Sequence, residues 1–124
     1  MALTHNLRNV QGIIASSPGS RLKRFGDKWP RWGDAATPQT RAAVAAYARI
    51  AQEAGLTPAQ LALLWCRTRP FVQAHGSVIV GASSVEQLEE NLKAFDLPCE
   101  TLTQAMCEEI DAVHLACRDP SDTL

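Results

Sequence analysis

The 124-residue sequence lacks the patterns that build metal sites, disulfide scaffolds and membrane spans. Its four cysteines (Cys66, Cys99, Cys107, Cys117) form no C-x-x-C pair, and His5, His75 and His114 fall at no ligand spacing. Zinc patterns and a disulfide framework are therefore not expected. Cys66 and Cys107 lie in apolar helical stretches, where a buried free thiol is the ordinary state. No apolar run approaches the roughly 18 residues that a membrane-spanning helix needs. The N-terminus shows no basic segment followed by a hydrophobic one. An excess of one charge is also missing: the net charge of −1 gives no electrostatic case for nucleic acid or an anionic membrane surface. The expectation is a soluble, cytoplasmic protein.

What is present is a globular composition, 46% hydrophobic and 20% charged, with enough chain for one modest core. Residues 1–36 are punctuated too often by Gly12, Pro18, Gly19, Gly26, Pro30 and Gly33 for a long helix, so they read as loop. Within them, Arg21–Phe25 and Lys28–Trp32 mix cations with aromatics, a combination able to stack on a base or clamp a phosphate. Residues 37–75 read as helices. Thr37-Pro38 is a cap followed by proline at the first helical position, and that helix runs to about Ala54, with Gly55 just past its end. Thr57 and Gln60 form a second capped start, for a helix from Ala59 to about Thr68 that Pro70 stops. Leu61, Leu64 and Trp65 mark its buried face. Residues 96–124 hold a last helix, capped by Thr103, with Met106, Ile110 and Val113 inward, and then a polar tail.

Residues 76–95 are the organising stretch. Ser77, Val78, Ile79 and Val80 are the one confident strand signal in the chain. Gly81 follows, then Ala82, Ser83 and Ser84, then a helix with Val85, Leu88, Leu92 and Phe95 on one face. Ser83-x-x-Glu86 and Ser84-x-x-Gln87 both read as capping boxes. Strand, glycine turn and helix N-terminus point free backbone N–H groups outward, a geometry suited to an anion. Gln87, Glu90 and Asn91 form a polar patch beside the turn, since residues three and four apart are neighbours on a helix. A solvated helix face is the plain alternative for that patch.

The run Ile79–Leu92, with Gly81, Ala82, Ser83, Ser84, Glu86, Gln87, Leu88, Glu90 and Asn91 in register, resembles the cofactor-binding signature near the C-terminus of aldo-keto reductases. It is most similar to the branch that includes bacterial reductases and potassium-channel β-subunits. Leu3–Leu7 followed by Pro18–Leu22 likewise resembles the loop after the seventh barrel strand, in which a lysine and an arginine reach over the bound dinucleotide. Arg21 matches that arginine, whereas Asn6 stands where the lysine is expected and His5 where a glycine is.

The resemblance implies an α/β fold, the C-terminal fragment of a (β/α)8 TIM barrel: the last strand plus surrounding helices, mostly helical as it stands. It implies NADP(H) as cofactor and carbonyl reduction by hydride transfer as the family's activity. It places Gly81, Ala82, Ser83, Gln87, Glu90, Asn91 and Arg21 around the adenosine end. The family's catalytic tyrosine, lysine, aspartate and histidine come from earlier strands; Tyr47, on a helix, does not match that tyrosine, so the chain is expected to be inactive alone. Without a sheet to cover, the apolar helix faces at Leu61/Leu64/Trp65 and Leu88/Leu92 imply self-association or an improvised helical cluster. Two rival readings stand beside this one. The chain could be a non-catalytic interaction remnant, or Ala48–Leu64 a helix-turn-helix. The second is opposed by the charge balance and by a second helix that offers mainly alanine and leucine where a groove needs polar groups.

Overall fold

Thr37 caps the first described helix by accepting the backbone N–H of Thr40 on its hydroxyl at 3.1 Å. The computed structural model describes residues 37–118; the sequence readings at His5, Asn6, Arg21, Trp29 and Trp32 lie outside them. The described elements are α1 (Pro38–Glu53), α2 (Pro58–Arg67), α3 (Pro70–His75), α4 (Val85–Lys93), a 3-10 turn (Cys99–Thr101) and α5 (Gln104–Ala116).

The connection between α1 and α2 is fixed by local chemistry. Gly55 adopts φ of 70°, the left-handed conformation that glycine takes at least cost. Its N–H donates to the Gln52 carbonyl at 3.0 Å, and the Leu56 N–H donates to the Ala51 carbonyl at 2.8 Å. These are the two bonds of a Schellman turn, and Leu56, Ala51 and Ile50 are all buried beside it. One residue later the Thr57 hydroxyl accepts from the Gln60 N–H at 3.1 Å while the Gln60 side chain accepts from the Thr57 N–H at 2.9 Å. The capping box expected there is complete.

α1 packs on α5 and α2, and α2 also touches α3 and α4. The core is Ile50, Ala51, Leu56, Leu61, Leu64, Leu102 and Ile110, with Tyr47, Trp65, Met106 and Val113 partly buried around it. Leu61 and Leu64 do not lie bare. They face α1 and α5, each worth about 1.5–3 kcal/mol of burial. Of the two alternatives the sequence left for this face, the helical cluster is the one seen for α2. Arg49 also bridges α1 to α5, bonding Glu109 at 2.6 Å and Glu53 at 2.7 Å, but in the open such pairs add little.

One sequence expectation is corrected here and one is extended. Ser77–Val80 forms no strand; the segment makes no ladder among the described residues. β-branched residues favour extension, but a strand exists only through a neighbour, and residues 37–118 supply none. Pro70 does end α2, yet it also starts α3, because proline is well suited to the first helical position. α3 closes at Gly76, where a Cβ would come within 2.9 Å of the Val72 Cα. That approach to backbone leaves no room for a side chain.

Arg67 joins the core to α4. Its guanidinium donates to the carbonyls of Ala94 (3.2 Å), Phe95 (2.6 Å) and Leu97 (2.5 Å), and contacts the Cys99 sulfur at 3.2 Å. Carbonyls at a helix C-terminus have no intrahelical partner, so a cation there satisfies both their hydrogen bonds and the helix dipole. Arg69 stacks on the Trp65 ring at 4.2 Å and donates to the Trp65 carbonyl at 3.1 Å. The Trp65 indole N–H is buried without a partner among the described residues.

Candidate functional site

Gly81, Ala82, Ser83 and Ser84 leave the extended segment and turn into α4. Ser84, not Ser83, is the N-cap: its hydroxyl accepts from the Gln87 N–H at 3.3 Å. The Gln87 side chain reaches back one residue further, accepting from the Ser83 N–H at 3.0 Å and from the Ser83 hydroxyl at 2.8 Å. Asn91, one turn along α4, donates from Nδ2 to the Gly81 carbonyl at 3.3 Å. Sequence spacing had placed Gln87 and Asn91 beside the turn; the structure has both of them holding it.

Glu90 lies on the same helix, half-buried and engaged with its surroundings. Glu86 occupies the first turn of α4, where its own backbone N–H and then the Ser84 hydroxyl hold its carboxyl below the usual glutamate range. A carboxylate is favoured at a helix N-terminus for the same reason a phosphate is. Sequence reading used Glu86 only as a possible capping partner and did not anticipate that it would sit at the anion position.

Gly81 has open space around it: a Cβ there would meet nothing within 4 Å. Its φ is not left-handed either. Neither conformation nor crowding within the described chain demands glycine at this position.

The apolar face of α4 is largely bare, with Val85 69%, Leu88 41% and Leu92 53% exposed. This is the uncovered face that the sequence implied. Among the described residues no helix is long and apolar enough to cross a membrane, and all four cysteines are free.

Tyr47 lines a separate cleft of about 380 Å³ between α1, α2 and α5, with Val44, Trp65 and Ile110. Burial, then Cys117 and Asp111, raise its phenol above the ordinary value, so it holds its proton at neutral pH.

A sequence model of the aldo/keto reductase family matches residues 6–114. The chain belongs to the aldo/keto reductase family. Relatives agree. The chain is 43% identical over 76 residues to the protein named tas of Escherichia coli strain K12, covering 61% of this chain and 20% of that protein. It is 44% identical over 64 residues to a protein of Arabidopsis thaliana named probable voltage-gated potassium channel subunit beta, covering 52% and 18% respectively. The matched stretches therefore span about a fifth of the length of these curated relatives. As an aldo/keto reductase chain, its family fold is the TIM barrel, in which phosphate sites gather around strands 7 and 8. The described residues carry helices of that family without its strands.

Proposed function

We propose that this aldo/keto reductase chain supplies the C-terminal, adenosine-gripping part of an NADP(H)-dependent carbonyl reductase of the cytoplasm. The chain is inactive on its own, because the acid and its supporting residues come from other strands of such a barrel. The observation that carries this reading is the turn Gly81–Ser84. Gln87 and Asn91 brace it from one helix, while Gly81 leaves its outer side open.

The residues present fit the group. Phosphate oxygens need donors, and the turn offers the Ser83 hydroxyl and the N–H groups of the α4 N-terminus, with the Ser84 hydroxyl joining them only when the Glu86 carboxylate that it bonds moves away. Because the Ser83 N–H and hydroxyl already bond Gln87, a phosphate here competes with the Gln87 side chain, which must turn outward toward the adenosine. Glu90 and Asn91 then border the adenosine from the next turn of α4. Arg21 would complete the grip on the 2′-phosphate that distinguishes NADPH from NADH. When bound, the cofactor supplies the hydride; these residues bind and orient its far end. Tyr47, with its raised pKa and its place in the separate cleft, is not the proton donor.

The bare face of α4 supports the same reading, since a barrel sheet is what such a face covers in this family. That exposure also favours a second reading, in which the chain is a non-catalytic interaction piece.

The test is NADPH oxidation with a reactive aldehyde such as 4-nitrobenzaldehyde. The purified chain alone should give no turnover, whereas fusion to the preceding barrel segment of a close relative should restore it. In that fusion Arg21→Ala should weaken NADPH more than NADH. Turnover by the chain alone that Tyr47→Phe abolishes would overturn the proposal. A fused, folded barrel that binds no NADPH would favour the interaction reading.

A further inference from the structure

Gln87 meets the turn in a way that helix capping alone does not require. In α2 the glutamine at the third helical position, Gln60, closes the ordinary capping box by accepting from the N–H of the cap residue itself. Gln87 holds the same position in α4, behind the cap Ser84. Its Oε1 passes over the cap and accepts from two donors of the residue before it, the Ser83 N–H at 3.0 Å and the Ser83 hydroxyl at 2.8 Å. Two donors converging on one oxygen suit a phosphate oxygen. The carboxamide oxygen is therefore a stand-in, held where the proposed cofactor would bring an anionic one. Glu86 acts in parallel, its carboxyl held by the Ser84 hydroxyl.

Building on the cofactor reading of this turn, we infer that Gln87 makes the site selective for adenine nucleotides over bare phosphates. In the free chain its side chain closes the Ser83 donors. A bare phosphate or pyrophosphate must expel the carboxamide and offers it nothing in return. A nucleotide offers adenine: the carboxamide pairs an acceptor with a donor, the pattern that matches the exposed amino group and neighbouring ring nitrogen of that base. Release of Ser83 and capture of the base are thus one movement of one side chain. Gln87 is exposed, so no packing opposes that movement. Because these hydrogen bonds lie in the open, each is worth little, and the expected selectivity is about three- to tenfold.

Amide-resolved NMR of the full chain tests this, with pyrophosphate and adenosine 2′,5′-bisphosphate as probes and Gln87→Ala as the variant. Alanine keeps the backbone N–H that bonds Ser84 and favours the helix. Without ligand, the Ser83 amide should exchange about three- to tenfold faster in Gln87→Ala. Pyrophosphate should bind the variant about three- to tenfold more tightly than the parent chain, and adenosine 2′,5′-bisphosphate about three- to tenfold more weakly. A purely structural glutamine would not give opposite signs. Affinities that move together, or that stay unchanged, would overturn the selection by Gln87 while leaving the cofactor site in place. An unchanged Ser83 amide would overturn it as well. A turn that neither probe shifts in either protein would remove the cofactor reading itself, and the selection with it.

Discussion

Replacing Arg67 by methionine should free α4 from the helical core while leaving that core intact. Methionine keeps the apolar stem of the side chain and removes the guanidinium that holds three carbonyls past the end of α4, at 3.2, 2.6 and 2.5 Å. Hydrogen bonds to a charged group are each worth about 1.5–3 kcal/mol. The site is half-buried and water recovers part of each bond, so the expected loss is about 2–3 kcal/mol for the set. The core residues Ile50, Leu64 and Ile110 do not depend on those bonds. Amide hydrogen exchange is the assay, because it reads each helix separately. Amides of α4 from Leu88 onward should exchange about 30- to 150-fold faster in Arg67→Met. Those of α1 and α5 should change less than about threefold. Equal acceleration in all three helices would mean that Arg67 belongs to the core. No acceleration in α4 would mean that the guanidinium does not hold it.

Two further outcomes follow from the same contacts. Leu64→Ala removes a fully buried side chain at the centre of α2 and should cost about 2–5 kcal/mol in urea denaturation, enough to abolish a cooperative transition in a core of this size. A Glu86→Gln variant should lose the acid sensitivity of α4. Because the folded Glu86 carboxyl lies below its ordinary 4.5, the unfolded form binds the proton more tightly. Its contribution is then complete above that pH and disappears as pH falls through the lower folded value. Amide protection in α4 should accordingly drop only on the acid side in the parent chain and stay flat there in the variant.

The parts of the fold that were legible in the sequence are those set by nearest neighbours. Thr37, Thr57 and Thr103 cap the helices they were read to cap, and Gly55 ends α1 as a left-handed residue. Each depends on partners within four or five residues. What was not legible depends on distant ones. The Ser77–Val80 signal is a preference for extension, which becomes a strand only when another chain segment supplies the ladder. The grip of Arg67 on α4 spans about thirty residues of sequence, and no local pattern announces it. The apolar run of α2 declared that it would be covered but not by what; the cover is a cluster with Ile50 and Ala51 of α1, Leu102 and Ile110. At the turn, spacing brought Gln87 and Asn91 beside Gly81–Ser84 but could not show that the Gln87 side chain bonds Ser83 while its N–H bonds the Ser84 cap.

The central claim is that Gly81–Ser84 and the first turns of α4 receive the adenosine end of NADP(H). The most direct measurement is an amide-resolved NMR titration of the isotope-labelled chain with the adenosine bisphosphate half of NADP. This probe bypasses the nicotinamide pocket, which other strands would have to build. Saturable shifts confined to Gly81–Ser84 and to Gln87, Glu90 and Asn91, together with Arg21, are the predicted result. Shifts centred instead on the cleft beside Tyr47, or a folded chain whose turn amides do not move at millimolar ligand, would contradict it.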